Sequence, residues 1–311
     1  MNDMTILEAA PLDVLDAYRT CEFVTLGRGG APLAWPTATR RQKDGTLLVT
    51  TSLAFAQKAL NVRRDGRVAL LFSDPTGSGL THPPQIFVSG RAECPDDIMT
   101  GTQGAEDYWR MLFERQPHSR AYLSLPMRRL MSWYYLRLLI TVTPEHVTVR
   151  PPLEPPASTP PALSGTPLGH ARLAQYPTAV LAALDAAGAP VLARTAPRAT
   201  ANGYLVDVPA DCAVTPGQAS LLVHRHDELL NNMTNTLVRG ELRKAGDTWE
   251  LIPAKVVEPM GSGRLKDAVR VLRQTRRASD RYLERRRLAR PHVRWDEFKT
   301  LAAAARNGDP A

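Results

Sequence analysis

No stretch of this 311-residue chain approaches 18 uninterrupted apolar residues, so no membrane-spanning helix is expected. The leading segment MNDMTILEAAPLD carries acids and no basic stretch ahead of an apolar one, so no secretory signal is read and a cytoplasmic protein is expected. Cysteine is scarce. Cys21, Cys94 and Cys212 are scattered, odd in number and never in CxxC spacing, which argues against a disulfide framework or a zinc site and leaves them as small core residues. Also missing are a nucleophile beside a base, a cluster of metal ligands, and paired carboxylates at useful spacing. No metal is expected. Chemistry carried by a bound cofactor fits such a chain, because it asks the protein only for binding, orientation and exclusion of water.

The length suffices for two domains, and a hydrophobic content of 43% fits a globular chain. The formal net charge of +8 is unevenly placed: Arg264 to Arg294 holds 12 Lys or Arg against 3 acids, and the remainder is close to neutral. A basic segment of this kind can steer nucleic acid, an anionic membrane or an acidic partner. The simpler expectation is a helix that packs one face on a domain, with Leu265, Val269 and Leu272 at helical spacing and its arginines in water. Neither a membrane nor a nucleic-acid partner is expected.

The residue types that bind anions concentrate between Thr50 and Asp74, TTSLAFAQKALNVRRDGRVALLFSD. Leu47 to Thr51 and Val68 to Phe72 are β-branched and apolar runs bounded by Asp44-Gly45 and Asp65-Gly66, which predicts two buried strands. Phe55 to Arg64 between them predicts a short helix. Thr51 and Ser52 at its entry offer hydroxyls and open backbone N–H groups, where an anion is favoured. Lys58 lies about two turns on and adds a point charge, and Arg40 and Arg41 on the preceding strand add a planar fork. The same residues also read as an ordinary cap and a solvated basic face, and spacing alone favours that simpler account.

An ordered series of signals resembles the pyridoxamine 5′-phosphate oxidase-like family of flavin-binding split β-barrels. It comprises Phe23-Val24-Thr25-Leu26, Gly30-Ala31-Pro32, Pro36 to Arg40, Asp44-Gly45, Leu47 to Thr51, Lys58, Asn61, Arg64-Asp65, Val68 to Asp74 and Val88-Ser89-Gly90-Arg91-Ala92-Glu93, and covers roughly residues 10 to 150. The resemblance implies that Thr50, Thr51, Ser52 and Lys58 hold a flavin phosphate. Gln57 stands where the oxidase branch commonly has an arginine, which places that branch's own activity in doubt.

Along the chain, a helix opens at Pro11, strands follow over Glu22 to Leu26 and Leu33 to Arg40, and Pro36 suggests an edge or bulge. Ser73 to Pro84 is a loop whose Ser73 and Asp74 are candidates for touching a substrate, ahead of a strand over Ile86 to Glu93. Ala105 to Arg115 predicts a helix; a basic-aromatic run, Tyr122 to Tyr135, reads as core with Trp133 placed near a pocket mouth. Leu136 to Val149 predicts two strand pieces around Thr143-Pro144-Glu145. Pro151 to Gly169, with 7 prolines in 19 residues, reads as a semi-rigid linker.

Beyond the linker the chain repeats itself. At an offset of 158, Leu15, Tyr18, Leu26, Gly30-Ala31-Pro32, Arg40, Gly45 and Leu47 match Leu173, Tyr176, Leu184, Gly188-Ala189-Pro190, Arg198, Gly203 and Leu205. The offset falls to 151 at Val68 to Phe72 against Ala219 to Val223, and to 150 at Gly90 against Gly240. The position matching Lys58 is Pro216, so the copy lacks the phosphate lysine. The expected fold is mainly β with flanking helices (α+β): two tandem split β-barrels forming a pseudo-dimer, plus a basic C-terminal helix. The expected divisions are residues 1–150, the linker 151–169, a degenerate second barrel 170–260 and a basic helical segment 261–311.

In the family the resemblance points to, flavin lies in the cleft between two barrels, so one chain would supply both walls. His224, Arg225, His226, Asn231 and Asn232 are candidates for the far wall; His224 and His226 at i and i+2 share a strand face. The resemblance implies a flavin-dependent oxidoreductase that uses FMN or a deazaflavin (coenzyme F-420) on a small molecule. The alternative it implies is a non-catalytic or haem-binding split-barrel protein. A further homodimer of the pseudo-dimer stays open.

Overall fold

The computed structural model describes residues 5–153, 166–258 and 265–307. The first half runs α1 (Leu12–Ala17), β1 (Cys21–Leu26), β2 (Pro32–Thr37), β3 (Thr39–Arg41), β4 (Leu47–Ser52), α2 (Gln57–Arg64), β5 (Arg67–Phe72), β6 (Gln85–Glu93), α3 (Glu106–Arg115), α4 (Leu125–Tyr135) and β7 (Arg137–Arg150). The second half runs α5 (His170–Leu173), β8 (Ala179–Leu184), β9 (Pro190–Thr195), β10 (Arg198–Ala199), β11 (Tyr204–Val206), β12 (Gly217–Arg225), β13 (Thr234–Ala245) and β14 (Thr248–Val257), before α6 (Leu265–Arg285) and α7 (Trp295–Asn307). Most of the expected linker lies outside the described residues.

Each half forms an antiparallel sheet of seven strands, ordered β2-β1-β5-β6-β7-β4-β3 and β10-β11-β14-β13-β12-β8-β9. Read from its other edge, the second sheet is β9-β8-β12-β13-β14-β11-β10, the first order strand for strand. The repeat in the sequence is thus a repeat of topology. The run expected as one strand over Leu33 to Arg40 is two, because β2 and β3 lie on opposite edges of the sheet. The chain crosses between those edges at Ala38, and the crossing curls the sheet toward a barrel. Pro36 sits on the edge strand, where its missing N–H costs no ladder bond.

The ladder slips at Ser89/Gly90 in one sheet and at Arg239/Gly240 in the other. A Cβ on Gly90 would lie 2.1 Å from the Thr143 carbonyl oxygen, and one on Gly240 would lie 2.0 Å from that of Ile252. Only glycine fits where the opposite backbone presses this close. β7 therefore bends at its bulge and continues as one strand, where two pieces were expected.

Three apolar clusters hold the molecule together. One fills the first barrel with Phe23, Leu47, Leu70, Ile86 and Ile140, and a smaller one fills the second with Leu181, Leu221, Val238 and Leu251. The third lies between the sheets and joins Val24, Ala34, Leu71 and Phe87 to Ala182, Leu192, Leu222 and Leu237. Each of the first four has its own counterpart among the second four, at offsets 158, 158, 151 and 150. The interface is therefore pseudo-two-fold, like the self-complementary face of a symmetric dimer. It also explains why β1 is buried at all six positions: one face lines its barrel and the other the interface.

The basic segment returns to the first barrel. Tyr282 and Leu283 of α6 and Phe298 and Ala302 of α7 belong to the first core, and Tyr282 accepts a hydrogen bond from Arg63 Nη1 at 3.1 Å. The line α6 buries runs through Thr275, Ser279, Tyr282 and Leu283, while Val269, expected on the packed stripe, is exposed. Arg273, Arg277, Arg281 and Arg285 face outward. Among the described residues no helix is long and apolar enough to cross a membrane.

Candidate functional site

Two polar clusters stand out on the first barrel. The first is built by the end of β4, the turn Leu53–Phe55 and the start of α2. Lys58 is 8% exposed and has no hydrogen-bond or ion-pair partner among the described residues. Burial pulls its ammonium down to about 8, opposed by Cys21 and assisted by the nearby Arg137. Ser52 is not a helix cap here: its Oγ is buried and unpartnered. The other two hydroxyls are engaged, Thr51 Oγ1 donating to the Phe55 carbonyl at 2.9 Å and Thr50 Oγ1 accepting from Arg137 Nη1 at 2.9 Å.

Arg137, which sequence reasoning passed over, stands opposite Ser52 in the β4–β7 ladder, with its guanidinium 4.8 Å from the Trp109 ring centroid and 4.5 Å from that of Tyr134. Its signal in the sequence was its place at the close of the basic-aromatic run. Arg40 is not brought to this cluster. It pairs with Leu48, four residues before Ser52, roughly 13 Å along the strand. Trp133 lies against Phe55, ring centroids 6.1 Å apart. Gln57 donates to Asn61 Oδ1 at 2.8 Å within its own helix.

The second cluster crosses the interface. Glu22, fully buried on β1, accepts from Arg194 Nη2 at 2.7 Å and from Ser73 Oγ at 2.8 Å, and lies 2.7 Å from His224 Nε2. Arg194 also donates to Ser73 Oγ and to Thr178 Oγ1. Asp74 Oδ2 is 3.7 Å from both His224 Nδ1 and His226 Nε2, and His226 Nε2 meets Thr20 Oγ1 at 3.0 Å. The two imidazoles stand nearly parallel, 6.4 Å apart. Burial pushes the Glu22 carboxyl up, but Arg194, with His224 and Ser73, outweighs it and holds the group below its ordinary range.

Ser73, Asp74, His224 and His226, expected as loop and far wall, thus meet in one network, joined by Glu22, Arg194 and Thr20, which were not anticipated. Asn231 and Asn232 instead bond Asp227 of their own loop, and Arg225 is exposed. Among the described residues, no three His, Cys, Asp or Glu side chains are placed to hold a metal ion.

The first cluster fits a phosphate in part. An unpaired buried ammonium, an unpartnered hydroxyl and a neighbouring guanidinium form an uncompensated cationic site, the environment in which an anion gains most. Thr51 has already spent its hydroxyl proton on the Phe55 carbonyl, whereas Thr50, which only accepts from Arg137, keeps its own.

No family model and no curated relative matches the sequence. Among solved structures, the chain is similar to a conserved hypothetical protein from Mycobacterium tuberculosis (22% identity, 49% of this chain and 88% of that one, TM-score 0.34). It is similar to a putative pyridoxamine 5′-phosphate oxidase from Listeria innocua (18%, 46% and 97%, TM-score 0.31). A protein of unknown function from Agrobacterium tumefaciens matches across both barrels (18%, 88% and 99%, TM-score 0.32). Other similar structures are an F420 reductase, a FAD-binding protein from Mesorhizobium loti and the haem storage protein HutZ from Vibrio cholerae. In fold, the chain is a pair of tandem split β-barrels, each a seven-stranded antiparallel sheet of the same strand order.

Proposed function

We propose that the chain is a flavin- or deazaflavin-dependent oxidoreductase with one cofactor site per chain, acting on a small organic substrate at the cleft between its barrels. The carrying observation is Lys58: a buried ammonium with no counterion among the described residues, near Arg137, which stands opposite Ser52 with its unpartnered Oγ. Lys58 and Ser52 would hold the coenzyme phosphate, with Arg137 as an added positive charge. The cofactor, when bound, supplies the hydride or electron chemistry. Within this reading the chain's own part is to neutralise the phosphate, exclude water and present the polar seam of Ser73, Asp74, His224 and His226 as the substrate-facing wall.

The F420 reductase, the FAD-binding protein and the putative oxidase among the similar structures support the redox reading, and HutZ supports haem as its rival. Haem ligation through Nε2 of either histidine would require breaking the His224–Glu22 or the His226–Thr20 contact, whereas His224 Nδ1 carries no hydrogen bond.

The test is an absorption spectrum of the purified protein, followed by titration with FMN, the deazaflavin and haemin. Flavin binding in the micromolar range that weakens roughly 10- to 150-fold in Lys58→Ala, the effect of losing a charged hydrogen bond, supports the assignment. Unchanged affinity in that variant removes the phosphate role, and a Soret band with no flavin binding overturns the redox reading. Flavin affinity in the wild type should fall as pH rises through about 8, where the Lys58 ammonium discharges.

A further inference from the structure

We infer that the outward face of α6 binds the phosphodiester backbone of a nucleic acid without reading its bases. Arg273, Arg277, Arg281 and Arg285 recur at every fourth residue, so they form one line along the helix, with steps of about 6 Å and a length of about 18 Å. All four are exposed, as is Arg276 beside them. The residues that α6 buries, Thr275, Ser279, Tyr282 and Leu283, occupy the other side. At the α-helical repeat, Arg277 stands almost diametrically opposite the middle of that buried line.

The charge on this face is not answered within the protein. None of the five arginines makes an ion pair among the described residues. Asp280 on the same face is held by Arg290, which leaves Glu284 as the exposed acid set against them among the described side chains of α6. The line is also fixed in place. Arg63 Nη1 donates to the Tyr282 hydroxyl at 3.1 Å, and the Arg286 guanidinium lies 4.7 Å from the Tyr282 ring centroid. Sequence alone favours arginines left in water; the fold adds their alignment and their lack of partners.

Such a line suits a nucleic acid better than a membrane surface. A helix that lies in a membrane buries an apolar face there, and α6 spends that face on the first barrel. Val269 is the one large apolar side chain it exposes among the described residues. Planar guanidinium forks match phosphate oxygens, and a duplex presents roughly ten backbone charges along about 18 Å of its axis. No aromatic residue lies between Arg273 and Arg281 to stack a base, so recognition stops at the backbone.

The experiment is fluorescence anisotropy of the full-length protein with a short labelled DNA duplex and, separately, an RNA duplex, from about 50 to about 200 mM salt. Micromolar or tighter binding at the low-salt end is expected, with log K falling against log salt at a slope of roughly −4. Arg277→Gln should reduce that slope by about one, and combining it with Arg273→Gln and Arg281→Gln should weaken binding roughly 100-fold or more. Thermal melts should stay unchanged, since none of the three makes a hydrogen bond or ion pair among the described residues. Preference for one duplex identifies the nucleic acid recognised. No binding of either duplex at about 50 mM salt, or binding unchanged in the triple variant, overturns the inference. Capture by phosphatidylserine vesicles with no binding of either duplex assigns the face to a membrane and overturns it as well. Loss of binding in Lys58→Gln but not in the triple variant does the same, by placing the anion at the other cluster.

Discussion

The two barrels share one strand order, one bulge and one interface, yet differ wherever charge is buried. Pseudo-symmetry pairs Glu22 with Val180, Ser73 with His224, and Arg194 with Pro36. One end of the interface therefore carries the Glu22–Arg194–His224 network, and the equivalent pair at the other end is the apolar Val180 and Pro36. The first barrel keeps the helix that presents Lys58; in the second, residues 207–216 form no helix, and several of them, from Asp207 to Val214, line a cavity of about 340 Å³. Duplication supplied two equal scaffolds. What differs is where a chain accepts costly buried polar groups, and such places are where function concentrates.

The contrast breaks first at the charged end. Glu22→Leu leaves Arg194 buried without its carboxylate and should destabilise the protein by roughly 3–5 kcal/mol in chemical denaturation. Pairing Glu22→Val with Arg194→Leu makes this end resemble the other and should recover most of that loss. A double variant as unstable as the single one would refute the account of the network. Because folding lowers the Glu22 pKa, its contribution is present above about pH 4.5 and is lost as pH falls through the folded value; the double variant should lack that acid sensitivity.

Lys58→Met tests the second difference and should raise stability at pH 7, by up to roughly 3 kcal/mol from the lowered pKa, while abolishing anion binding at that cluster. The sign follows from linkage. A lysine whose pKa is depressed on folding binds more protons when unfolded, so the wild type should gain stability as pH rises from about 8 toward 10.5, and the variant should not.

Gly90→Ala and Gly240→Ala test the likeness instead. Both force a Cβ into an opposing carbonyl, so each should cost roughly 2 kcal/mol or more, by similar amounts in thermal melts. The smallest effect is expected from Arg277→Gln on the outer face of α6, within about 0.5 kcal/mol.

The scaffold was legible in the sequence because turns and close backbone approaches leave local marks: Gly-Ala-Pro at 30–32 and 188–190, and glycine at 90 and 240, appear at the same place in each copy. Ser73, Asp74, His224 and His226 could be nominated for the same reason, as polar residues at strand ends. Glu22 and Arg194 could not, since each reads as one polar position in an alternating strand and the pair is separated by 172 residues. Their signal lies in the comparison of copies, where each faces an apolar counterpart. The α6 stripe misled because helical spacing of Leu265, Val269 and Leu272 suggested a face, whereas the buried line is made partly of Thr275 and Ser279, small enough for close packing against the Leu53–Phe55 turn.

The return of α6 and α7 to the first barrel sets an order of events during synthesis. Tyr282, Leu283, Val293, Phe298 and Ala302 complete a core whose other buried members end at Val142, and the whole second barrel is made in between. At ribosomal speeds of about 5–20 residues per second, the first barrel waits on the order of ten seconds for its last pieces. During that wait the turn beside Ser52 lacks its helical cover, so the first barrel to emerge from the ribosome is the last to be finished.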